Sequence, residues 1–182
     1  MKQNGTKRSR NEEDDAVLQD AVREYRESLI FFLNRYVRNV GVAEELAEDA
    51  FVSMLLHPYR RERAASVKTY LFTIGRNKAL NYLKKQARSK EVPLEEAGDL
   101  AEESVLEERL LRQERAKQVN AVLGELHEEY RTVLHLLYFE ELSLKEAGEV
   151  MRKNAKQMEN LAYRAKKAMK QTLEKEGFRY EE

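Results

Sequence analysis

Residues 143–169 read SLKEAGEVMRKNAKQMENLAYRAKKAM, and the organisation of the chain follows from this stretch. Ser143 with Glu146 three residues on is a capping-box pattern, which opens a short helix carrying Leu144, Ala147, Val150 and Met151. Asn154 caps a second, long helix predicted to run to about Lys175 and to be closed by Gly177. At 100° per residue, Met158, Ala162, Ala165 and Met169 share one face of that helix. Lys156, Asn160, Arg164 and Lys167 share the opposite face, with Gln157 and Tyr163 flanking. A capped helix, a short turn and a second capped helix with an apolar seam form a helix-turn-helix pattern. Its outer face suits DNA: Arg and Lys reach phosphates or guanine edges, and Asn and Gln can bond adenine. An ordinary basic helical hairpin has the same spacing, so spacing alone leaves both readings open. Gly148 sits inside the first helix, where a small residue lets two helices cross closely.

Upstream the pattern stays helical. Val17, Ala21, Tyr25, Leu29, Phe32 and Tyr36 recur at spacings of three and four, and Gly41 is predicted to end that helix. Ala43, Leu46, Ala47, Ala50, Phe51, Met54 and Leu55 give the buried stripe of the next helix, which Pro58 stops. Residues 57–66, HPYRRERAAS, form a basic loop. Ser66 caps a third helix to about Arg88, with Val67, Leu71, Ile74 and Leu83 turned inward. Helical signal resumes at Ser104, paired with Glu107 in a capping box, and runs to about Gly124; a further helix covers 128–140. No segment alternates as a strand would, and no repeat of fixed period is visible.

Composition agrees. The chain has 182 residues, of which only 7 are Gly and 2 are Pro, so few turns are encoded. With 42% apolar and 36% charged residues it can fill small helical cores but not one thick mixed core. It has no Cys, which removes disulfides, thiolate zinc sites and thiol nucleophiles. His57, His127 and His135 lack metal-ligand spacing, and no phosphate-cradling or dinucleotide glycine motif is present, so neither an enzyme nor a cofactor or metal is expected. No apolar run reaches the length of a membrane span, and the N-terminus has no signal-like apolar region, so a cytoplasmic location is expected.

The 33 basic and 33 acidic residues cancel in sum but not locally. Residues 76–90 hold six bases and no acid, 91–108 hold eight acids and no base, and 152–175 hold eight bases against two acids. Two basic regions around an acidic stretch suggest two polyanion-binding surfaces and a connector kept off them; solvated helix faces are the plain alternative for each block. The expected fold class is all-α, with two small helical domains joined by a flexible acidic linker. The expected division is a disordered tail over 1–15, a first domain over 16–88, a linker over 89–112 with Pro93 and Gly98, a second domain over 113–178, and a tail over 179–182.

The third helix differs in kind from the helix-turn-helix. Tyr70, Thr73, Asn77, Asn81 and Lys84 lie near one face, broadened by Arg76, Lys78, Lys85 and Arg88. An aromatic, two amides and several cations suit exposed bases and a phosphate track. The preceding loop, with His57, Tyr59, Arg60, Arg61 and Arg63, can hold an unstacked base. Tyr70 in a core, or Asn77 bonding within the domain, fits the same spacing.

Three separated segments together resemble the extracytoplasmic-function (ECF) group of bacterial RNA polymerase sigma factors. Residues 43–51, AEELAEDAF, resemble that family's docking segment for the polymerase clamp. Residues 66–85, SVKTYLFTIGRNKALNYLKK, resemble its minus-ten recognition and melting helix, the Arg76-Asn77 pair and Tyr70-Leu71-Phe72 being the most specific part. Residues 142–147 and 160–167 resemble its minus-thirty-five helix-turn-helix. The departures are Glu48 for the usual Gln, Glu45 for Asp, Gly75 for a common Ala and Glu159 where Lys is frequent.

The resemblance implies a protein that binds core RNA polymerase and directs it to promoters. It implies polymerase contacts at Glu44, Glu45, Glu48 and Asp49. It implies minus-ten contacts at Tyr59, Arg60, Arg61, Arg63, Tyr70, Arg76, Asn77, Asn81, Lys84 and Lys85, and minus-thirty-five contacts at Lys156, Gln157, Asn160, Tyr163, Arg164 and Lys167. The acidic linker would lie in a polymerase channel as a mimic of nucleic-acid charge. Family members are often held by an anti-sigma protein, and such a partner is admitted here. The rival readings are a helix-turn-helix regulator acting without polymerase and a helical protein-interaction bundle.

Overall fold

A computed structural model describes residues 3–60, 65–89 and 119–175, with side chains over 12–60, 65–88 and 119–175. Every described element is an α-helix: α1 Gln3–Val37, α2 Val40–Leu56, α3 Val67–Ser89, α4 over residues 119–125, α5 Glu128–Tyr138, α6 Leu144–Met151 and α7 Ala155–Lys175. The chain divides into two compact units, one holding α1, α2, α3 and residues 148–153 at the end of α6, the other α4, α5, α7 and the opening turn of α6.

In the first unit the three helices pack pairwise. Ala43, Ala47 and Ala50 are fully buried at spacings of four and three, so the backbone of α2 can come close to its neighbours. Leu29, Phe32 and Leu33 from α1 and Leu71 and Phe72 from α3 are also wholly buried. Phe32 meets Phe72 at 5.1 Å between ring centroids and Tyr36 edge-on at 5.4 Å. Gly75 is buried where α3 crosses α1: a Cβ there would stand 2.9 Å from Leu29 Cδ1.

Several expectations about the first unit are corrected. Residues 3–15, expected as a disordered tail, are the first turns of α1. Extending a helix already anchored by packing needs no new nucleus, and no Pro interrupts the stretch. Asp14 also accepts two bonds from Arg60 Nη1, at 3.0 and 3.1 Å. Gly41 does not end α1. The left-handed residue is Arg38 (φ 51°), Asn39 then caps α2 by accepting from the Val42 N–H at 3.0 Å, and Gly41 lies within α2. Leu55, expected on the buried stripe of α2, is 52% exposed. On α3, Val67, Ile74 and Leu83 are only half-buried; Thr69, Phe72 and Ala79 are buried with Leu71.

In the second unit α5 packs on α7, which buries Met158, Leu161, Ala162, Ala165 and Leu173. α5 ends at Tyr138 rather than 140, because Glu140 turns inward and Glu141 takes a left-handed φ of 54°. Glu140 Oε1 lies 3.1 Å from His135 Nε2, both residues being buried. The acidic stretch 91–108, Pro93, Gly98, the Ser104–Glu107 pattern and Gly177 lie outside the described residues.

Candidate functional site

The helix-turn-helix forms by the local chemistry its sequence encodes. Ser143 Oγ accepts from the Glu146 N–H at 3.2 Å, and Glu146 Oε2 accepts from the Ser143 N–H at 2.9 Å and from its hydroxyl at 2.7 Å. Asn154 and Gln157 make the matching reciprocal box, each side chain accepting from the other's backbone N–H, at 2.9 and 3.0 Å. Between them Arg152 adopts φ 55°, its N–H bonds Glu149 O and the Lys153 N–H bonds Gly148 O. These two bonds stop α6 in a Schellman motif with Arg in the place usually held by glycine. The chain can therefore turn sharply and start α7 after three residues.

Lys156, Asn160, Tyr163, Arg164 and Lys167 are all exposed on α7, opposite buried Met158, Ala162 and Ala165. Tyr163 is 69% exposed, far more than a packed tyrosine. Gln157 is exposed too, but its carbonyl oxygen is engaged in the cap, which leaves its amide N–H₂ as the group to face a ligand.

On α3 Asn81, Lys84, Lys85 and Arg88 are exposed, while Tyr70, Thr73, Arg76, Asn77 and Lys78 are half-buried. Arg76 Nε donates to Tyr36 Oη at 3.3 Å, so this guanidinium is tied to α1. Lys68 lies over the rings of Tyr25 and Phe72, 5.7 Å from each centroid. Arg61 and Arg63 lie outside the described residues. Arg60 is held by Asp14, a partner that sequence reasoning missed because it stands 46 residues away in the presumed tail.

Glu44, Glu45, Glu48 and Asp49 are all exposed on α2. The helix continues into Val52, Leu55 and Leu56, which are 53%, 52% and 69% exposed. Glu45, Glu48, Val52 and Leu55 follow at spacings of three, four and three, so acids and aliphatics share one face. Sequence patterning misses the apolar half, because an apolar residue in an amphipathic helix reads as core.

The second unit also carries a groove of about 690 Å³ lined by Val119, Leu123, Leu134, Tyr138, Phe139, Met169, Lys166 and Lys170. Tyr138 and Phe139 are 58% and 46% exposed, and Lys166 lies 5.7 Å from the Tyr138 ring centroid. Among the described residues no cluster of three His, Asp or Glu side chains could hold a metal, and no helix is long and apolar enough to cross a membrane.

Residues 21–89 match Sigma-70 region 2 and residues 116–169 match Sigma-70 region 4. The fold and its two matched regions thus define a two-domain protein of the sigma-70 family. Within it the chain belongs to the ECF sigma factors, which direct RNA polymerase to initiate transcription at specific promoters, and it is not an enzyme.

It is 26% identical to the ECF RNA polymerase sigma factor SigM of Bacillus subtilis (strain 168) over 80% of this chain and 88% of SigM. It is 23% identical to the RNA polymerase sigma factor YlaC of the same organism over 87% and 92%. Among solved structures, the sigma factor RpoE of Bartonella quintana, in complex with the anti-sigma factor NepR, has a TM-score of 0.68 at 17% identity, covering 86% of this chain and 96% of RpoE. CnrH in complex with the cytosolic domain of CnrY has a TM-score of 0.59 at 21% identity, covering 86% and 87%.

Proposed function

We propose that three surfaces of this sigma factor divide the work of initiation. The first is the α2 face with Glu44, Glu45, Glu48 and Asp49, which docks on core polymerase. Four exposed acids repel DNA phosphates, and the adjoining Val52, Leu55 and Leu56 call for a protein surface that is basic at one end and apolar at the other. This juxtaposition carries the reading, since a regulator acting without polymerase needs neither half of it.

The second surface, within the domain proposed over 16–88, comprises Tyr59, Arg60, Arg61, Arg63, Tyr70, Arg76, Asn77, Asn81, Lys84 and Lys85. It takes unpaired bases of the minus-ten element. Capture of those bases offsets unstacking, so opening needs no hydrolysis by this chain. The exposure of Asn81, Lys84 and Lys85 supports direct contact; the bond from Arg76 to Tyr36 supports a partly structural role for Arg76.

The third surface, within 113–178, is the outer face of α7, where Lys156, Gln157, Asn160, Tyr163, Arg164 and Lys167 enter the major groove of the minus-thirty-five element. An anti-sigma partner is part of the proposal, supported by the complex in which the RpoE neighbour was solved. Work with polymerase places the protein in the cytoplasm.

The docking surface is tested by Glu45→Lys with Glu48→Lys. Both side chains are exposed, so helical content should stay at the wild-type level while co-purification with core polymerase falls at least tenfold. Unchanged co-purification removes the surface from the account.

A further inference from the structure

Gln157 belongs to two patterns at once. It stands on the outer stripe of α7 with Asn160 and Arg164, at spacings of three and four, and all three side chains are exposed. It is also one half of the cap that starts the helix. Gln157 Oε1 accepts from the Asn154 N–H at 3.0 Å, and Asn154 Oδ1 accepts from the Gln157 N–H at 2.9 Å. A backbone N–H only donates, so the amide atom facing it is the oxygen. The orientation of the Gln157 amide is thereby fixed, and its N–H₂ is the end left for a ligand.

We infer that Gln157 is a specificity-determining residue that acts as a donor alone and selects guanine at one position of the duplex element. The inference rests on the reading of α7 as the major-groove helix. The ordinary partner of glutamine in that groove is adenine, which takes both amide atoms: the oxygen accepts from N6–H₂ and the nitrogen donates to N7. Here that pairing would take the oxygen away from the Asn154 N–H and reopen the cap. Guanine asks only for donors, since its N7 and O6 both accept and lie side by side. Thymine offers one acceptor, O4. Cytosine offers only a donor, N4–H₂, which meets the Gln157 N–H₂ as like against like. The cap that starts α7 therefore also restricts what its third residue can read.

The test selects bound sequences from a promoter library randomised over the minus-thirty-five element, using holoenzyme reconstituted with the wild-type chain, Gln157→Glu or Gln157→Ala. Gln157→Glu keeps an acceptor for the Asn154 N–H and exchanges the donor for a second acceptor. Gln157→Ala removes both. Wild type should favour guanine over cytosine about three- to tenfold at one position of the contacted strand, the size expected from one hydrogen bond. At that position Gln157→Glu should favour cytosine, and Gln157→Ala should not distinguish the two. The readout is a ratio at one position, so a uniform loss of affinity from the added charge leaves it unmoved.

Any base but guanine favoured by wild type at the position that responds to Gln157→Ala overturns the inference. So does an unchanged preference at every position in Gln157→Glu. The reading of α7 fails separately: in that case Arg164→Ala also leaves every position unchanged.

Discussion

Single side chains carry more of this structure than their types suggest. His135 looks in the sequence like one more histidine near an apolar face, and Glu140 like a solvated acid at a helix end. The fold buries both and sets them 3.1 Å apart, with the Phe139 ring stacked on His135 at 5.2 Å and 6°. Truncating one partner leaves a buried polar group of the other to be desolvated without it. Glu140→Ala should therefore destabilise the C-terminal domain by about 1–3 kcal/mol, read as a lower urea midpoint at unchanged slope. Tyr25 makes a prediction about pH. Burial, then a hydrogen bond and charge repulsion from Glu24, raise its hydroxyl above the ordinary value of 10.0. A group raised in the folded state contributes stability that is present in full below pH 10 and lost as pH rises through the folded value. Wild-type protein should thus lose stability as pH rises above 10 more steeply than Tyr25→Phe, as measured by urea unfolding at each pH.

At the scale of elements, capping and periodicity made most helices readable. The Ser143–Glu146 box forms as its spacing dictates, and the Asn154 cap forms as expected with Gln157 closing it reciprocally, because each bond is local and needs no tertiary partner. The errors arise where a competing local cap wins or where tertiary packing decides burial. Gly41 was the natural stop for α1, yet Asn39 offered a better cap and the left-handed turn fell on Arg38. Leu55 fits a buried stripe by spacing, and burial depends on what else packs there. Gly75 shows a long-range constraint within an element. Its Cβ-free face admits Leu29 and Leu33, and a Cβ alone would reach to 2.9 Å and 3.4 Å of them. Gly75→Leu places a whole side chain in that space and should destabilise the N-terminal domain by about 1–3 kcal/mol, visible as a lower thermal midpoint. Circular dichroism should still report helix at low temperature.

For the whole molecule, the two-domain helical organisation was legible in the sequence, because the helices of each domain are contiguous stretches with their own periodicity. The apolar half of the α2 face, the Asp14–Arg60 tie and the groove beside Tyr138 were not, because each depends on exposure or on residues distant in sequence. In the proposed division of labour α3 acts on unpaired DNA and α7 on duplex DNA, and Asn81 and Arg164 represent the two helices well because both are exposed. The measurement is run-off transcription with permanganate footprinting by reconstituted holoenzyme on duplex and pre-melted bubble templates, comparing wild type, Asn81→Ala and Arg164→Ala. Asn81→Ala should form the closed complex normally, open the duplex poorly and recover much of its activity on the bubble. Arg164→Ala should lose about 1–3 kcal/mol of promoter binding, with relaxed preference at one upstream position, and gain nothing specific from the bubble. The same defect in both variants on both templates would contradict the division of labour.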